Sequence, residues 1–486
     1  MNVPESMKLN LNLALGWLSH ARGLNVHGVV ADRVHTDSRS LQKGDLFVAL
    51  RGERFDGNDF IAQAKAQGAV AVVCEASGED LALAQGLPAL VVPDARIALG
   101  ELALSWRAQF SLPLIAVTGS NGKTTVTQMI ASILRAHAGD GAFSTQGNFN
   151  NDIGVPLTLF NLRAHHRIAV VELGMNHPGE IAYLAKLAQP SVALVNNAQR
   201  EHQEFMGTVE AVARENGAVL QALPPEGVAV FPADEEFTHV WQGLSGQRTQ
   251  WCFAMASAPD ALALAQVYAA VVVWQSGAWQ FTLKTPKGTA PIRLHIAGRH
   301  NVKNALAAAA CALAAGVPLA AVAQGLVAFE PVKGRSRALV LHTATDEITL
   351  VDDTYNANPD SVRAAIDVLA ELPAPRLLVL GDMGEVGNQG PEFHAEVGSY
   401  AAERGIEALY TLGDLCAHSA KAFGSAQSFE DMDSLLVSVT AQVGLFRSVV
   451  VKGSRFMKME RVVQALQSNS AVGSITHPKK GEPHAA

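Results

Sequence analysis

A chain of 486 residues is too long for one hydrophobic core, so two to four domains are expected. Apolar residues make up 49% and charged ones 17%, a balance that excludes a disordered chain and fits a folded, soluble one. The formal net charge is -8 with both signs interspersed, which gives no basic footprint for nucleic acid.

The N-terminal run MNVPESMKLNLNLALGWLSHARG lacks a basic start, an apolar core and a small-residue cleavage site, so no export signal is expected. Residues 1–94 alternate short β-rich runs with a helix: GDLFVAL (Gly44–Leu50), DFIAQAKAQGA (Asp59–Ala69), VAVVCE (Val70–Glu75) and PALVVP (Pro88–Pro93). This pattern predicts a small N-terminal α/β domain. Residues 95–330 open on the helical ARIALGELALSWRAQF and continue into the strands PLIAVTG, RIAVVELG (Arg167–Gly174) and SVALVNN (Ser191–Asn197). Strands separated by helical patterns predict a mostly parallel sheet covered on both faces.

Ala305–Ala323 is uncharged over enough length to span a bilayer, but Gly316 and Pro318 divide it. Two buried helices are expected there, and no integral membrane segment. Residues 331–486 alternate again, from PVKGRSR (Pro331–Arg337) through ITLVDD, a helix from Ser361, RLLVLGD, a helix near Glu392–Arg404, ALYTLGD and SVVVKGS (Ser448–Ser454) to a last helix. A doubly wound, Rossmann-like domain is predicted, and the polar tail SITHPKKGEPHAA is expected to be disordered. The four cysteines, Cys74, Cys252, Cys311 and Cys416, form no C-x-x-C pair, which argues for reduced thiols and neither a zinc site nor a disulfide framework.

The most informative stretch is VTGSNGKTT, Val117 to Thr125. It misses the phosphate-binding pattern G-x-x-x-x-G-K-[ST] only at Val117, which should still lie inside the strand. Gly119, Ser120, Asn121 and Gly122 form the turn, and Lys123, Thr124 and Thr125 open an amphipathic helix. Backbone N–H groups and a helix N-terminus then converge on an anion-sized space, with Lys123 reaching the β- and γ-phosphates of a nucleoside triphosphate and the Thr124 hydroxyl ligating Mg²⁺. Glu172 closes the next apolar strand, and His202 follows the one after, so both should reach the same sheet edge as candidate Mg²⁺ ligands.

These motifs occur in an order that resembles the Mur ligases: GSNGKTT, VVELGMNHPGEI, NNAQREH, GRHNVKNALAAAA (Gly298–Ala310), KGRSR and DDTYNANPDS (Asp352–Ser361). Four further stretches resemble the branch of that family that adds D-alanyl-D-alanine to UDP-N-acetylmuramoyl-tripeptide. They are TDSRSLQKGDLFVALRGERFDGNDF (Thr36–Phe60), GNFNNDIGVPLTLF (Gly147–Phe160), GDMGEVG and VKGSRFMKME. The resemblance implies an N-terminal UDP-binding domain, a central ATPase and a C-terminal domain that brings the amine. It implies ATP and Mg²⁺ as cofactors, a cytoplasmic monomer and small-molecule partners only. By motif, Asn301 would sit near the adenine, Asn304 beside the nucleotide, Asp353 near the ribose and Arg335 near the γ-phosphate, where a cation has an electrostatic use. Ser38, Arg39 and Asn151 would contact the UDP-linked substrate.

The family's chemistry explains the loop, since a carboxylate must acquire a leaving group before an amine can displace it. The rival readings are a ligase adding the third residue of the muramoyl peptide, folylpolyglutamate synthase, a small-molecule kinase and a slow nucleotide switch. GNFNNDIGVP argues against the first two. One position departs from the family. Where many Mur ligases carry a carbamylated lysine that helps bind a second Mg²⁺, this chain has Asn216, preceded by Glu215. Neighbouring helix positions point about 100° apart, so Glu215 is not expected to turn in as a substitute.

Overall fold

Three large sheets, each packed with its own helices, follow one another along the chain, with a two-stranded ribbon (Leu9–Asn10 and Val30–Ala31) beside the first, in a computed structural model that describes residues 7–473 except 54, 202, 256–258, 276–277, 343–346 and 469–470. The N-terminal sheet has five strands in the order Arg22–Leu24, Ala89–Val91, Ala71–Cys74, Asp45–Val48, Arg33–His35. All its neighbours are parallel except the first pair. Asp45–Val48 and Ala71–Cys74 are buried along their whole length, as strands covered on both faces must be.

The central sheet has nine strands. Third from one edge is β1 (Leu114–Thr118), followed along the chain by helix α1 (Lys123–Ala138), and β1 lies between β2 (Ile168–Glu172) and β3 (Val192–Val195). In register, Val117 pairs with Glu172 on one side and Leu194 on the other. The strand-end residues that follow therefore reach one edge together. Val117 is fully buried in β1, so the missing glycine costs the loop nothing. Helix α2 (Val209–Gln221) packs beside β3, and α3 (His300–Ala314) covers the opposite face.

The sheet runs parallel from Ala142–Ser144 to Val267–Gln275 and then turns antiparallel through Ala278–Thr285 and Gly288–Leu294. The sheet is thus mostly parallel, as expected, with an antiparallel pair added at one edge. Val267–Gln275 is buried or half-buried over its first four residues and alternates exposed with half-buried from Val271, so the outer face of its second half meets water. The alanine-rich stretch forms α3 and a separate helix, Leu319–Val327, divided by Gly316 at φ +88° and by Pro318. Among the described residues no helix is long and apolar enough to cross a membrane.

Gly325 lets the second of these helices lie directly on α1. A Cβ there would fall 2.3 Å from Ile133 Cα, and the Ser132 hydroxyl donates to the Gly325 carbonyl at 2.8 Å. The helix that opens at the phosphate loop is thereby fixed along its length.

The C-terminal sheet has seven strands. Gln427–Phe429, Ala408–Leu412, Arg376–Gly381, β5 (Ser448–Lys452) and β4 (Glu347–Asp353) are parallel neighbours in that order, and Arg337–His342 and Ala471–Gly473 follow antiparallel. After β4, helix α4 (Pro359–Ala370) starts two residues before the expected Ser361, because Asn358 and Ser361 form a reciprocal capping box and Pro359 takes the first helical position. All four cysteines are free and buried. The tail Ser474–Ala486 lies outside the described residues.

Candidate active site

The ends of β1, β2 and β4 and the first turns of α1, α3 and α4 enclose a cavity of about 1120 Å³ between the central and C-terminal sheets. Of the residues expected to act, Ser120, Asn121, Gly122, Lys123, Thr124, Thr125, Asn151, Glu172, Asn301, Asn304, Arg335 and Asp353 line this one space. Gly119 sits just behind it, and His202 lies outside the described residues.

The loop depends on two glycines. Gly119 has φ +135°, and a Cβ there would meet the backbone nitrogens of Asn196 and Asn197 at 3.1 Å. Gly122 has φ +79°, and its Cβ would fall 2.7 Å from Asn304 Oδ1. Between them, Asn121 N donates to Asn197 Oδ1 at 2.8 Å, so the β3–α2 connection shapes the turn. Lys123 Nζ donates to the carbonyls of Gly119 at 2.5 Å and Ser120 at 3.1 Å and pairs with Glu201 at 3.2 Å. The lysine side chain is only 16% exposed, so it is a held group and not a free loop cation.

Glu172 Oε1 accepts from the Thr124 hydroxyl at 3.0 Å and from Asn150 Nδ2 at 2.8 Å. Its other oxygen, Oε2, is buried without a hydrogen-bond partner. A buried anionic oxygen left open beside a hydroxyl is a donor set suited to a hard dication, so Thr124 and Glu172 fit Mg²⁺.

Neutral carboxamides form the rear wall. Asn196 Nδ2 donates to Asn304 Oδ1 at 3.0 Å, Asn304 Nδ2 to Asn301 Oδ1 at 2.8 Å, and Asn301 Nδ2 to the Ala297 carbonyl at 2.7 Å. Asn196 Nδ2 also reaches the Asn121 carbonyl at 2.8 Å, joining the row to the loop. Asn301 is therefore not a helix cap; Arg299 holds that position and makes no side-chain cap bond.

Across the cavity, Asp353 Oδ1 accepts from Ser336 N at 2.9 Å and Oδ2 pairs with Lys452, whose Nζ also donates to the Asn356 carbonyl at 3.0 Å. Burial alone would raise the Asp353 carboxyl, but the Lys452 ammonium outweighs it and holds Asp353 below the usual aspartate range. The Arg335 guanidinium lies 3.9 Å from the centroid of the Tyr355 ring. Burial lowers His300 from its ordinary value, which favours the neutral ring.

Ser38 and Arg39 do not line this cavity. Asp37 accepts from the Arg39 backbone at 3.0 Å, which makes the turn that DSR suggests, and Ser38 is buried with its hydroxyl toward Gln63 at 3.3 Å. A second cleft, about 480 Å³, opens beside the same strand between Arg33, His35, Arg135 and Arg163, and Ser38 and Arg39 border neither space.

Asn216 does not line the cavity: it is 1% exposed and accepts from the Thr118 hydroxyl at the end of β1. Glu215 caps another helix, accepting from Gly179 N and Ile181 N, each at 2.9 Å, at the start of Glu180–Ala188. Glu215→Ala is expected to cost about 1 kcal/mol of stability by loss of this cap and to leave turnover nearly unchanged. Activity should also be indifferent to dissolved CO₂. Denaturant melts and assays under bicarbonate depletion and addition check both.

A cluster elsewhere, Asp382, His394 and Cys416, has metal-ligand chemistry in its residue types only. His394 Nε2 accepts from Met383 N at 3.0 Å and Nδ1 donates to the Gly390 carbonyl at 2.7 Å, so neither ring nitrogen has a lone pair to give. Asp382 accepts from Cys416 N at 2.7 Å, and the group ties a helix start to the sheet.

The sequence reading missed the residues that hold these groups: Glu201 on Lys123, Asn150 on Glu172, Asn196 in the amide row and Lys452 on Asp353. Lys452 and Asn196 each sit at a strand's carboxyl end, a position signal that could have singled them out.

Comparison with known proteins agrees with this geometry. Residues 31–107 match the Mur ligase family, catalytic domain; 117–312 match the Mur ligase middle domain; and 336–455 match the Mur ligase, glutamate ligase domain. The UDP-N-acetylmuramoyl-tripeptide–D-alanyl-D-alanine ligase of Escherichia coli (strain K12) is 40% identical over 443 residues, covering 91% of this chain and 95% of that one. Among solved structures, MurF from Acinetobacter baumannii superposes with TM-score 0.86 at 32% identity over 96% of this chain and 100% of that one. MurF from Thermotoga maritima, in complex with ADP, superposes with TM-score 0.76 at 25% identity over 90% and 97%. With its motifs in order, its three sheets matched in sequence and in space, and its phosphate loop at their junction, the chain belongs to the Mur ligase family.

Proposed function

We propose that the chain joins D-alanyl-D-alanine to UDP-N-acetylmuramoyl-tripeptide at the expense of ATP, giving the pentapeptide precursor of peptidoglycan in the cytoplasm. The observation that carries this reading is the single cavity in which a phosphate loop, the open Glu172 carboxylate and the Asn150–Asn151 segment face Arg335, Asp353 and Lys452 of the C-terminal sheet. The relatives' shared activity supports it. The division of labour follows the three sheets: residues 1–94 for the UDP end through Ser38 and Arg39, 95–330 for ATP, and 331–486 for the amine. The enzyme works as a monomer.

The tripeptide carboxylate, approached through Asn151, attacks the terminal phosphorus of ATP, giving an acyl phosphate and ADP. The dipeptide amine then adds to the acyl carbon, loses a proton and expels phosphate through a tetrahedral intermediate. The protein's task is to position reactants and neutralise charge. Gly119 to Thr125 present backbone N–H groups, Lys123 turns from Glu201 toward the outer phosphates, and Arg335 approaches the γ-phosphate from the opposite wall. Asn301 and Asn304 border the base, and Asp353 borders the ribose. Thr124 and Glu172, together with His202, would hold Mg²⁺, which would supply charge neutralisation on the phosphates.

ADP release measured across UDP-muramoyl peptides of different length tests the assignment, with the tripeptide and D-alanyl-D-alanine both required for amide formation. Phosphate transfer to a stable acceptor, or ATP hydrolysis indifferent to both substrates, would refute it. Borohydride added to enzyme, ATP and UDP-tripeptide without dipeptide should trap the acyl phosphate as the alcohol; an active preparation that yields none rules out the two-step route.

A further inference from the structure

Three consecutive residues after β3 hold three different parts of the site. Gln199 bonds the phosphate loop: its backbone N donates to Ser120 Oγ at 2.9 Å and its Oε1 accepts from Asn121 Nδ2 at 2.6 Å. Glu201 pairs with Lys123 at 3.2 Å. Arg200 between them points the other way, into the C-terminal domain.

Its backbone N donates to Asp360 Oδ2 at 2.8 Å, and its guanidinium reaches Asp360 Oδ1 at 2.6 Å and Glu396 Oε2 and Oε1 at 2.6 Å and 3.0 Å. The Phe393 ring lies 5.4 Å from the same guanidinium. The arginine and both carboxylates are each at least two-thirds buried. A planar fork bonded to two carboxylates from different helices, with an aromatic ring alongside, fixes orientation as well as distance.

Asp360 is the second residue of α4, and the residue that caps α4 makes a separate link to the loop. Asn358 Nδ2 donates to Asn121 Oδ1 at 3.0 Å, and Asn121 Nδ2 approaches Asn358 Oδ1 at 3.4 Å. The start of α4 is therefore registered against the phosphate loop twice, once directly and once through Arg200.

We infer that Arg200 is a positioning residue that locks the C-terminal domain, and the amine it carries, onto the loaded phosphate loop. The inference rests on the ligase reading for the identity of the amine. The guanidinium's bonds run to Asp360 and Glu396 of the C-terminal domain. Its effect should fall on the second half of the reaction and on the closed population, and not on nucleotide capture, which belongs to the loop.

The test uses the full chain with Arg200→Ala, Arg200→Lys and Glu396→Gln. Arg200→Ala should lower kcat/KM for the dipeptide about 100-fold, the scale of a misplaced reacting group, with KM for the dipeptide rising. The Kd of a fluorescent ADP probe and the melting temperature should stay close to wild type. Arg200→Lys, which can reach one carboxylate but not fork across two, should recover part of the loss, and Glu396→Gln should lose less than Arg200→Ala. Solution scattering with an ATP analogue and UDP-tripeptide should give a larger radius of gyration for Arg200→Ala than for wild type. Unchanged dipeptide kinetics and an unchanged radius overturn the inference, as does an equal loss of probe affinity together with a lowered melting temperature. A wild-type chain that forms no amide overturns the ligase reading instead, and the scattering comparison with the nucleotide analogue alone still decides the lock.

Discussion

Lys123→Ala is expected to lower ADP release by about 10³-fold, the loss associated with removing a charge aimed at a transition state. Its effect on stability should also be measurable, because Lys123 is held by two carbonyls and by Glu201, which is 6% exposed. Deleting the ammonium leaves a buried carboxylate without this partner, at a cost on the order of 1–3 kcal/mol. The two effects separate in the double variant Lys123→Ala with Glu201→Gln. Neutralising the carboxylate should restore most of the melting temperature and none of the activity. A folded Lys123→Ala protein that releases ADP at near wild-type rate would remove the loop from the mechanism.

The second large effect is expected at Glu172. Glu172→Gln keeps the side chain's size and its bonds to Thr124 and Asn150, and replaces the open anionic oxygen with a neutral group. A neutral amide is a weaker ligand for a hard dication, so the Mg²⁺ concentration for half-maximal activity should rise at least about tenfold and kcat should fall. Manganese binding followed by electron paramagnetic resonance, in the presence of ADP, gives a readout independent of turnover. Unaltered Mg²⁺ dependence with unaltered manganese binding would show that the open oxygen serves some other group.

The fold was legible wherever periodicity and turn chemistry agreed. β1, the loop and α1 follow directly from PLIAVTGSNGKTT, and the split at Gly316 and Pro318 separates two helices as expected. The antiparallel edge from Val267 to Leu294 was not read, although its alternation is visible in hindsight, because an interrupting bulge between Ala270 and Val273 breaks the period of two. Individual site residues were legible when their chemistry was unusual for their position, as with Lys123 and Glu172. Their holders were not. Glu201, Asn150 and Lys452 act through partners far away in sequence, and no local pattern encodes a contact such as Lys452 with Asp353, 99 residues apart. Asn301 and Arg335 came from family likeness alone, since a carboxamide in a helix or an arginine in a turn carries no chemistry until something stands opposite it.

The row of carboxamides behind the loop has a direction. Asn196 gives to Asn304, Asn304 gives to Asn301, and Asn301 gives to the Ala297 carbonyl, which can only receive. Because the last link is fixed by backbone, every amide upstream has its oxygen and nitrogen assigned, and none can flip alone. Conversion of Asn304 to aspartate, by mutation or by slow deamidation, would therefore do more than add a charge: an acceptor-only group cannot pass the bond on, so Asn301 loses its donor. The row is built as a one-way relay whose polarity is set at the Ala297 carbonyl, and chemical ageing at one amide would break the next link along it.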